Sequence, residues 1–462
     1  MRRLDLPARA SRPTLGYVAA RTVVVVGAGV TGLSAAHELT RLGCSVVVFE
    51  AGPQVGGKVR VSEVGGLAVD EGADSMLRRV PWGTDLAAAA GLDLVSPTPG
   101  GAAIWTRGAL RPLPTGTVMG VPADLAALAR SGVLSGRGLN RVPLDLVLPG
   151  EPVEDDVSVG DLVARRLGRE VVERLVDPLL GGVYAGRADR LSLQATLPQL
   201  AATARSHRSL LLAARAARGV PAPGPVFAGL PGGLGTLPVA LALGLDVRLG
   251  TTVRGLARRP DGWRLETGSM ADPGTLDADA VVLAVPAAAA ARLLAGHAPV
   301  EELAGVDYAS VAIVTLVLSG PSPGAGSGYL VPAVEGRTTK AVTFTSRKWG
   351  RPGPAVVRAS VGRYGEANDL QRPDGELVKV VLAELAEAVG PLPRLVDSRV
   401  TRWGGGLPQY AVGHLQLVAR LRRALPAGLA VAGAAYDGVG VPACAHSGLL
   451  AARAVALGAV RG

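Results

Sequence analysis

The sequence predicts a mixed α/β and α+β architecture organised around a discontinuous Rossmann-like dinucleotide-binding domain. Three observations predict it. Val23-Val24-Val25-Val26 is a run of four β-branched residues, which reads as a strand buried on both faces. Gly27-Ala28-Gly29-Val30-Thr31-Gly32 follows it as a GxGxxG that opens a helix, and Glu50 ends the next strand about twenty residues on. Near the other end of the chain the same grammar returns. Gly428–Gly433 reads as a buried strand, Ala434-Ala-Tyr-Asp-Gly-Val-Gly-Val-Pro442 as a glycine-rich turn, and Ser447–Leu457 as a helix. A chain with half of a nucleotide site at each end must leave that domain, build others, and come back.

Each part of the first motif has a physical task. Gly27 permits the tight turn, Gly29 lets backbone approach a pyrophosphate, and Gly32 lets helix and strand pack closely. The helix N-terminus offers free N–H groups and a positive dipole end to phosphate. Ala28, Val30 and Thr31 fill the turn. The Glu50 carboxylate suits a ribose hydroxyl and repels a 2′-phosphate, which favours FAD or NAD over NADP.

The following elements read in order. A helix over 33–42 stops at Gly43, a good C′ residue. Ser45–Phe49 is the second strand, and Ala51-Gly-Pro-Gln-Val-Gly-Gly-Lys58 is a second glycine turn. Residues 65–75 form a hairpin-like return that ends in Asp70-Glu-Gly-Ala-Asp-Ser75. From about 113 to 220 the pattern is helical. Ser158 with Asp161 is a capping signal for one amphipathic run over 159–180, and 207–218 repeats the style. The β pattern resumes near 226, with strands expected over Leu245–Leu256 and Trp263–Thr267 and a buried strand over Ala278–Pro286. Residues 306–319 and 354–364 alternate like antiparallel strands, and 374–389 is an amphipathic helix. The resulting division is a dinucleotide domain over 21–95, 225–300 and 425–462, an antiparallel-sheet substrate domain over 96–112 and 301–424, and a helical domain over 113–224. Residues 1–20 read as a disordered extension, because Arg2-Arg3 is followed by no apolar signal core before Thr22.

Composition narrows the partners. The net charge of +10 is carried mainly by arginine, which suits carboxylates through bidentate pairing. No basic run with interleaved aromatics occurs, which argues against nucleic acid. Cys44 and Cys444 give neither a metal spacing nor a disulfide framework, so no metal and a reducing, cytoplasmic setting are expected. The charge-free stretches 219–245 and 308–334 are interrupted by proline and glycine, and neither reads as a membrane span. The Arg/Leu faces of the helical block allow membrane contact that is peripheral at most.

Gly27–Gly32 with Glu50-Ala51 and Gly56-Gly57-Lys58 resembles the FAD-binding opening of the flavin amine oxidase superfamily. Gly433-Ala-Ala-Tyr-Asp-Gly-Val-Gly-Val-Pro-Ala-Cys444 resembles the C-terminal signature of the protoporphyrinogen and coproporphyrinogen oxidases of haem synthesis. Arg111-Pro-Leu-Pro with Val118–Pro122, Asp177–Gly186 with Leu191-Ser192, and Thr401–Tyr410 with Gly413-His414 agree in order along the chain. The branch most similar is that of the soluble bacterial coproporphyrinogen III oxidases. Where that family usually has an acid after the last Val-Pro, this chain has Ala443.

The resemblance implies an amine-oxidase, PHBH-like fold and non-covalent FAD. It implies FAD contacts at Gly27–Gly32, Glu50, Ala51, Lys58 and the turn Gly72, Ala73, Asp74, Ser75. It also implies them at Val253 through its backbone, at Trp403 beside the isoalloxazine, and at Val439, Gly440 and Val441 at the flavin's far end. The implied reaction is a six-electron oxidation of a porphyrinogen. Hydride passes to flavin N5 three times, and dioxygen is reduced to hydrogen peroxide each time. The helix after the last glycine turn would favour negative charge on the reduced flavin. No catalytic base is assigned, and His414 reads as a structural histidine. Arg78 or Arg79, next to the Gly72–Ser75 turn, is expected to bind a substrate propionate, with Tyr184 and Arg187 as further cavity candidates. A basic chain suits coproporphyrinogen III, with four propionates, better than protoporphyrinogen IX, with two. The next enzyme of the haem pathway is an expected partner. Two other readings are a flavin amine oxidase, with Trp403, Tyr410 and Tyr436 as an aromatic cage, and a non-catalytic binding protein of the same fold.

Overall fold

A computed structural model describes residues 21–219 and 224–457; the extension expected over 1–20 lies outside them. The β-branched run forms the strand Thr22–Val26, with Val23, Val24 and Val25 fully buried. It is central in a five-stranded parallel sheet of order Asp246–Arg248, Ser45–Phe49, Thr22–Val26, Ala280–Leu283, Leu429–Val431. Strands drawn from the start, middle and end of the chain thus share one sheet, as a discontinuous Rossmann-like fold requires. Helices cover one face, where Leu33, Ala36 and Leu39 meet Ala445, Ala452 and Val455. Trp263, Leu265 and the alanine-rich helix Ala287–Leu294 cover the other.

A second sheet has seven strands in the order Leu395–Pro408, Tyr308–Leu318, Ala355–Val361, Thr339–Phe344, Gly328–Leu330, Ala102–Thr106, Ala109–Pro112. The alternating segments 306–319 and 354–364 do pair antiparallel within it. One pair, Gly328–Leu330 with Ala102–Thr106, is parallel, so the sheet is mixed. The amphipathic helix Asp374–Val389 covers one face through Leu377, Val381 and Leu385. The helical block has its own core, including Leu162, Leu175, Leu180, Leu200 and Leu211, which also takes in Ile104 of the seven-stranded sheet. Among the described residues no helix is long and apolar enough to cross a membrane.

Local signals held in several places. Gly43 is left-handed at φ +85° just after the helix Val30–Arg41. Ser158 caps its helix by accepting from the Asp161 N–H at 3.0 Å. Three expectations are corrected. The single helical run over 159–180 is broken at Gly168, which at φ +101° cannot continue a helix; beyond it the chain resumes as helix at Arg169–Val171 and passes through a π-helical segment, Val172–Val176. The strand expected over Leu245–Leu256 is two strands in two sheets, Asp246–Arg248 and Val253–Arg259, turned by Gly250 at φ +61°. The C-terminal helix begins at Val441 rather than Ser447. Pro442 is compatible with a first helical turn because its missing N–H has no intrahelical acceptor there.

Candidate functional site

The glycine turn is built by close backbone contact. A Cβ on Gly32 would lie 1.8 Å from the Gly27 carbonyl oxygen, and one on Gly27 would lie 2.6 Å from that of Ala284. Gly29 differs, because nothing lies within 4 Å of its Cβ position. The space over the helix N-terminus is therefore open, and the first N–H groups of Val30–Arg41 have no intrahelical acceptor. Glu50 stands at the rim, its carboxylate accepting from the Ala28 and Gly52 N–H groups, each at 2.8 Å. The second glycine turn lies alongside, with the Gly56 N–H donating to the Ala28 carbonyl at 2.8 Å. Ala51 is exposed beside Glu50. Val253 opens its strand two residues after Thr251, whose N–H donates to the Glu50 carbonyl.

The C-terminal half closes on this cradle. Ser34 Oγ donates to the Ala445 carbonyl at 2.8 Å, and a Cβ on Gly448 would lie 2.2 Å from the Thr31 carbonyl oxygen. Lys58 is half-buried close to the Cys444 thiol, and desolvation lowers its pKa. Burial pushes the thiol of Cys444 up, and its Sγ faces the Gly438 carbonyl at 3.5 Å. Val439 and Gly440 lie just ahead of Val441, the first residue of the last helix. The earlier helix start brings that N-terminus to the glycine turn itself.

The third wall comes from the large sheet. Trp403 Nε1 donates to the Glu71 carbonyl at 3.0 Å, and the indole is within 4.0 Å of a Cβ position on Gly72. The Arg60 guanidinium lies 4.6 Å over the same ring. The Gly72–Ser75 turn is gripped by two cations that sequence reading missed. Lys348 Nζ donates to Asp74 Oδ1 and Ser75 Oγ, each at 2.9 Å, while Arg358 donates to the Gly72 carbonyl and stands 3.6 Å from Asp74 Oδ2. Burial opposes ionisation of Asp74, but these cations prevail and hold its pKa below the usual range. Arg358 had a signal in the sequence: it is the one charge in the apolar strand Ala355–Val361. Lys348 had none.

Asp70 sits behind this layer and accepts from the Gly235 N–H at 3.2 Å. Burial pushes its carboxyl up to about 6. Its unfolded value is near 3.8, so its contribution to stability is complete below that pH and is lost as pH rises through about 6. That shift corresponds to about 3 kcal/mol as an upper bound. Asp70→Asn should therefore flatten the pH dependence of unfolding free energy between pH 4 and 7. A variant that keeps the wild-type slope would refute the assignment.

The substrate candidates are dispersed. Arg78 and Arg79 are exposed, Arg78 reaching Ser96 Oγ at 3.3 Å. Arg187 is exposed and paired with Glu366 at 2.7 Å. Tyr184 is buried, its ring 5.6 Å from that of Tyr410. His414 is stacked on Tyr410 at 4.1 Å, and burial lowers its pKa to about 4. It is neutral at physiological pH, and its Nε2 is buried without a hydrogen-bond partner among the described residues.

A family model described as flavin containing amine oxidoreductase matches residues 30–456. The chain belongs to that family. The coproporphyrinogen III oxidase of Mycobacterium tuberculosis H37Rv is 39% identical over 438 residues, covering 92% of this chain and 95% of that protein. The coproporphyrinogen III oxidase of Bacillus subtilis 168 is 33% identical, covering 92% and 96%. A crystal structure from Exiguobacterium sp. 255-15, described as a candidate protoporphyrinogen oxidase, superposes with a TM-score of 0.85 at 32% identity, covering 95% of this chain and 99% of that one. The resemblance and fold drawn from the sequence therefore stand. As a flavin amine oxidoreductase the chain carries a flavin cofactor. The residues present fit one: an open space over a helix N-terminus, a carboxylate at the strand end, and the half-buried Lys58.

Proposed function

We propose that this chain catalyses the FAD-dependent, oxygen-dependent oxidation of coproporphyrinogen III to coproporphyrin III, with release of hydrogen peroxide, in the cytoplasm as part of haem synthesis. Six hydrogens leave the substrate and three dioxygen molecules become three hydrogen peroxide molecules. The observation that carries this reading is the convergence of Gly27–Gly32 with Gly438–Val441 on one space walled by Trp403, in a chain whose relatives carry the coproporphyrinogen III oxidase name.

When bound, the flavin would accept hydride and react with oxygen. The chain's own groups bind, orient and enclose. The helix Val30–Arg41 and Lys58 would hold the pyrophosphate end, Glu50 and Val253 the adenosine, and Trp403 with the Gly72–Ser75 turn the ring system. Non-covalent attachment is supported by the chemistry of the nearer cysteine, Cys444, whose raised pKa keeps it protonated and a poor nucleophile. The three-domain division given above is supported by sheet membership: strands within 102–112 and 308–408 share the seven-stranded sheet, and strands 22–26, 45–49, 246–248, 280–283 and 429–431 share the parallel one. Dioxygen is the acceptor on this reading, and the next haem-pathway enzyme is the expected recipient of the product.

The test is anaerobic mixing of the purified yellow protein with coproporphyrinogen III. Bleaching, followed by porphyrin fluorescence when air enters, is the expected result; a colour that persists would refute the proposal. Equal or better catalytic efficiency on protoporphyrinogen IX would reverse the choice of substrate. Arg78 and Arg79 adjoin the strand Met76–Leu77 that follows the Gly72–Ser75 turn. Replacing the propionate partner with alanine should raise KM about tenfold, the loss of one charge-assisted hydrogen bond. Unchanged KM in both single variants would eliminate them as carboxylate partners.

A further inference from the structure

We infer that Tyr410 is a positioning residue that sets the last glycine turn against the flavin; this rests on the FAD reading above. Tyr410 is buried at 2% exposure. Its hydroxyl donates to the Ala434 carbonyl and accepts from the Gly438 N–H at 2.9 Å. One side chain thereby closes both ends of the turn Ala434–Gly438. The ring lies between His414 and Tyr184, and its own carbonyl accepts from the Ser192 N–H at 2.7 Å. The brace is therefore anchored in the helical block and at the end of the large sheet, not in the domain whose turn it holds.

The turn has a second brace on its other side. Gly433 N–H donates to Ser447 Oγ at 2.8 Å, Ser447 Oγ donates to the Asp437 carboxylate, and Arg422 pairs with Asp437 at 2.6 Å. Gly438 itself is at φ +126°, a conformation that backbone preference alone does not select for other residues. Three residues later the helix Val441–Leu457 begins. The orientation of that helix N-terminus is thus fixed by two side-chain braces. A helix N-terminus favours negative charge, so its position would bias a flavin bound against it towards the anionic reduced form.

Tyr410→Phe keeps the ring stack and removes only the hydroxyl, leaving the Gly438 N–H and Ala434 carbonyl without it. A purely structural role would lower the melting temperature and leave the redox equilibrium alone. The inference expects the reduced-to-oxidised flavin ratio, measured against a reference dye at fixed potential, to fall about fivefold, the size of a helix-terminus interaction. A changed visible flavin spectrum should accompany it. An unchanged ratio and spectrum in a flavin-loaded variant would overturn the inference. Should Tyr410→Phe fail to fold, Arg422→Gln, at the surface end of the second brace, must move the ratio in the same direction, and no movement would overturn it. Wild-type protein purified without flavin would instead defeat the FAD reading itself.

Discussion

Gly448→Val should separate the two ends of the nucleotide domain. The helices Val30–Arg41 and Val441–Leu457 cross at this glycine, where an added Cβ would lie 2.2 Å from the Thr31 carbonyl oxygen and 3.0 Å from the Ala35 nitrogen. Both are backbone atoms of a helix, so neither can rotate aside. Overpacking of a rigid crossing costs about 3 kcal/mol or more. The same displacement would pull the Ala445 carbonyl from Ser34 Oγ and open the cradle. The expected outcome is a protein of lowered melting temperature that purifies with little flavin. A variant with wild-type melting and full flavin content would show that the crossing tolerates a side chain and would remove the basis for a shared cradle.

Lys348→Met should be comparably costly for a different reason. Asp74 would keep only Arg358, at 3.6 Å, as a cationic partner inside the fold. Stripping one partner from a buried ion pair costs at most about 3–5 kcal/mol, and Arg358 at 3.6 Å compensates only part of the remaining charge. The pH dependence identifies the group responsible. Native Asp74 has a pKa held below its unfolded value of 3.8, so it contributes stability above that value and loses it as pH falls through the folded pKa. The deficit of the Met variant, measured by urea unfolding, should therefore be wide at pH 7 and narrow towards pH 3. The Lys348→Met/Asp74→Asn double variant should recover part of the loss, since the orphaned charge is gone. An equal deficit at both pH values would place the effect in packing instead of charge.

How far the sequence could be read depended on the range of the interaction involved. The strand Thr22–Val26, the GxGxxG turn, the Ser158 cap and the helix Asp374–Val389 are fixed by residues within a few positions of one another, and periodicity or a cap shows them directly. Gly168 was hidden inside a continuous apolar period, since period alone does not report a φ of +101°. Pro442 marked a permissible first turn, yet the start at Val441 is decided by the braces on the turn before it.

By itself the sequence determined the dinucleotide motif, the alternation of sheet and helix, the return of the chain at residues 428–457, and through its motifs the family. Tertiary structure alone decided that Lys348 meets Asp74 across 274 positions, that Gly448 admits Thr31, and that Tyr410 holds Gly438. The physical reason is that such contacts depend on which side chains two distant backbones bring within a few ångströms, and a linear order of residues carries propensity and pattern but no distances between remote elements.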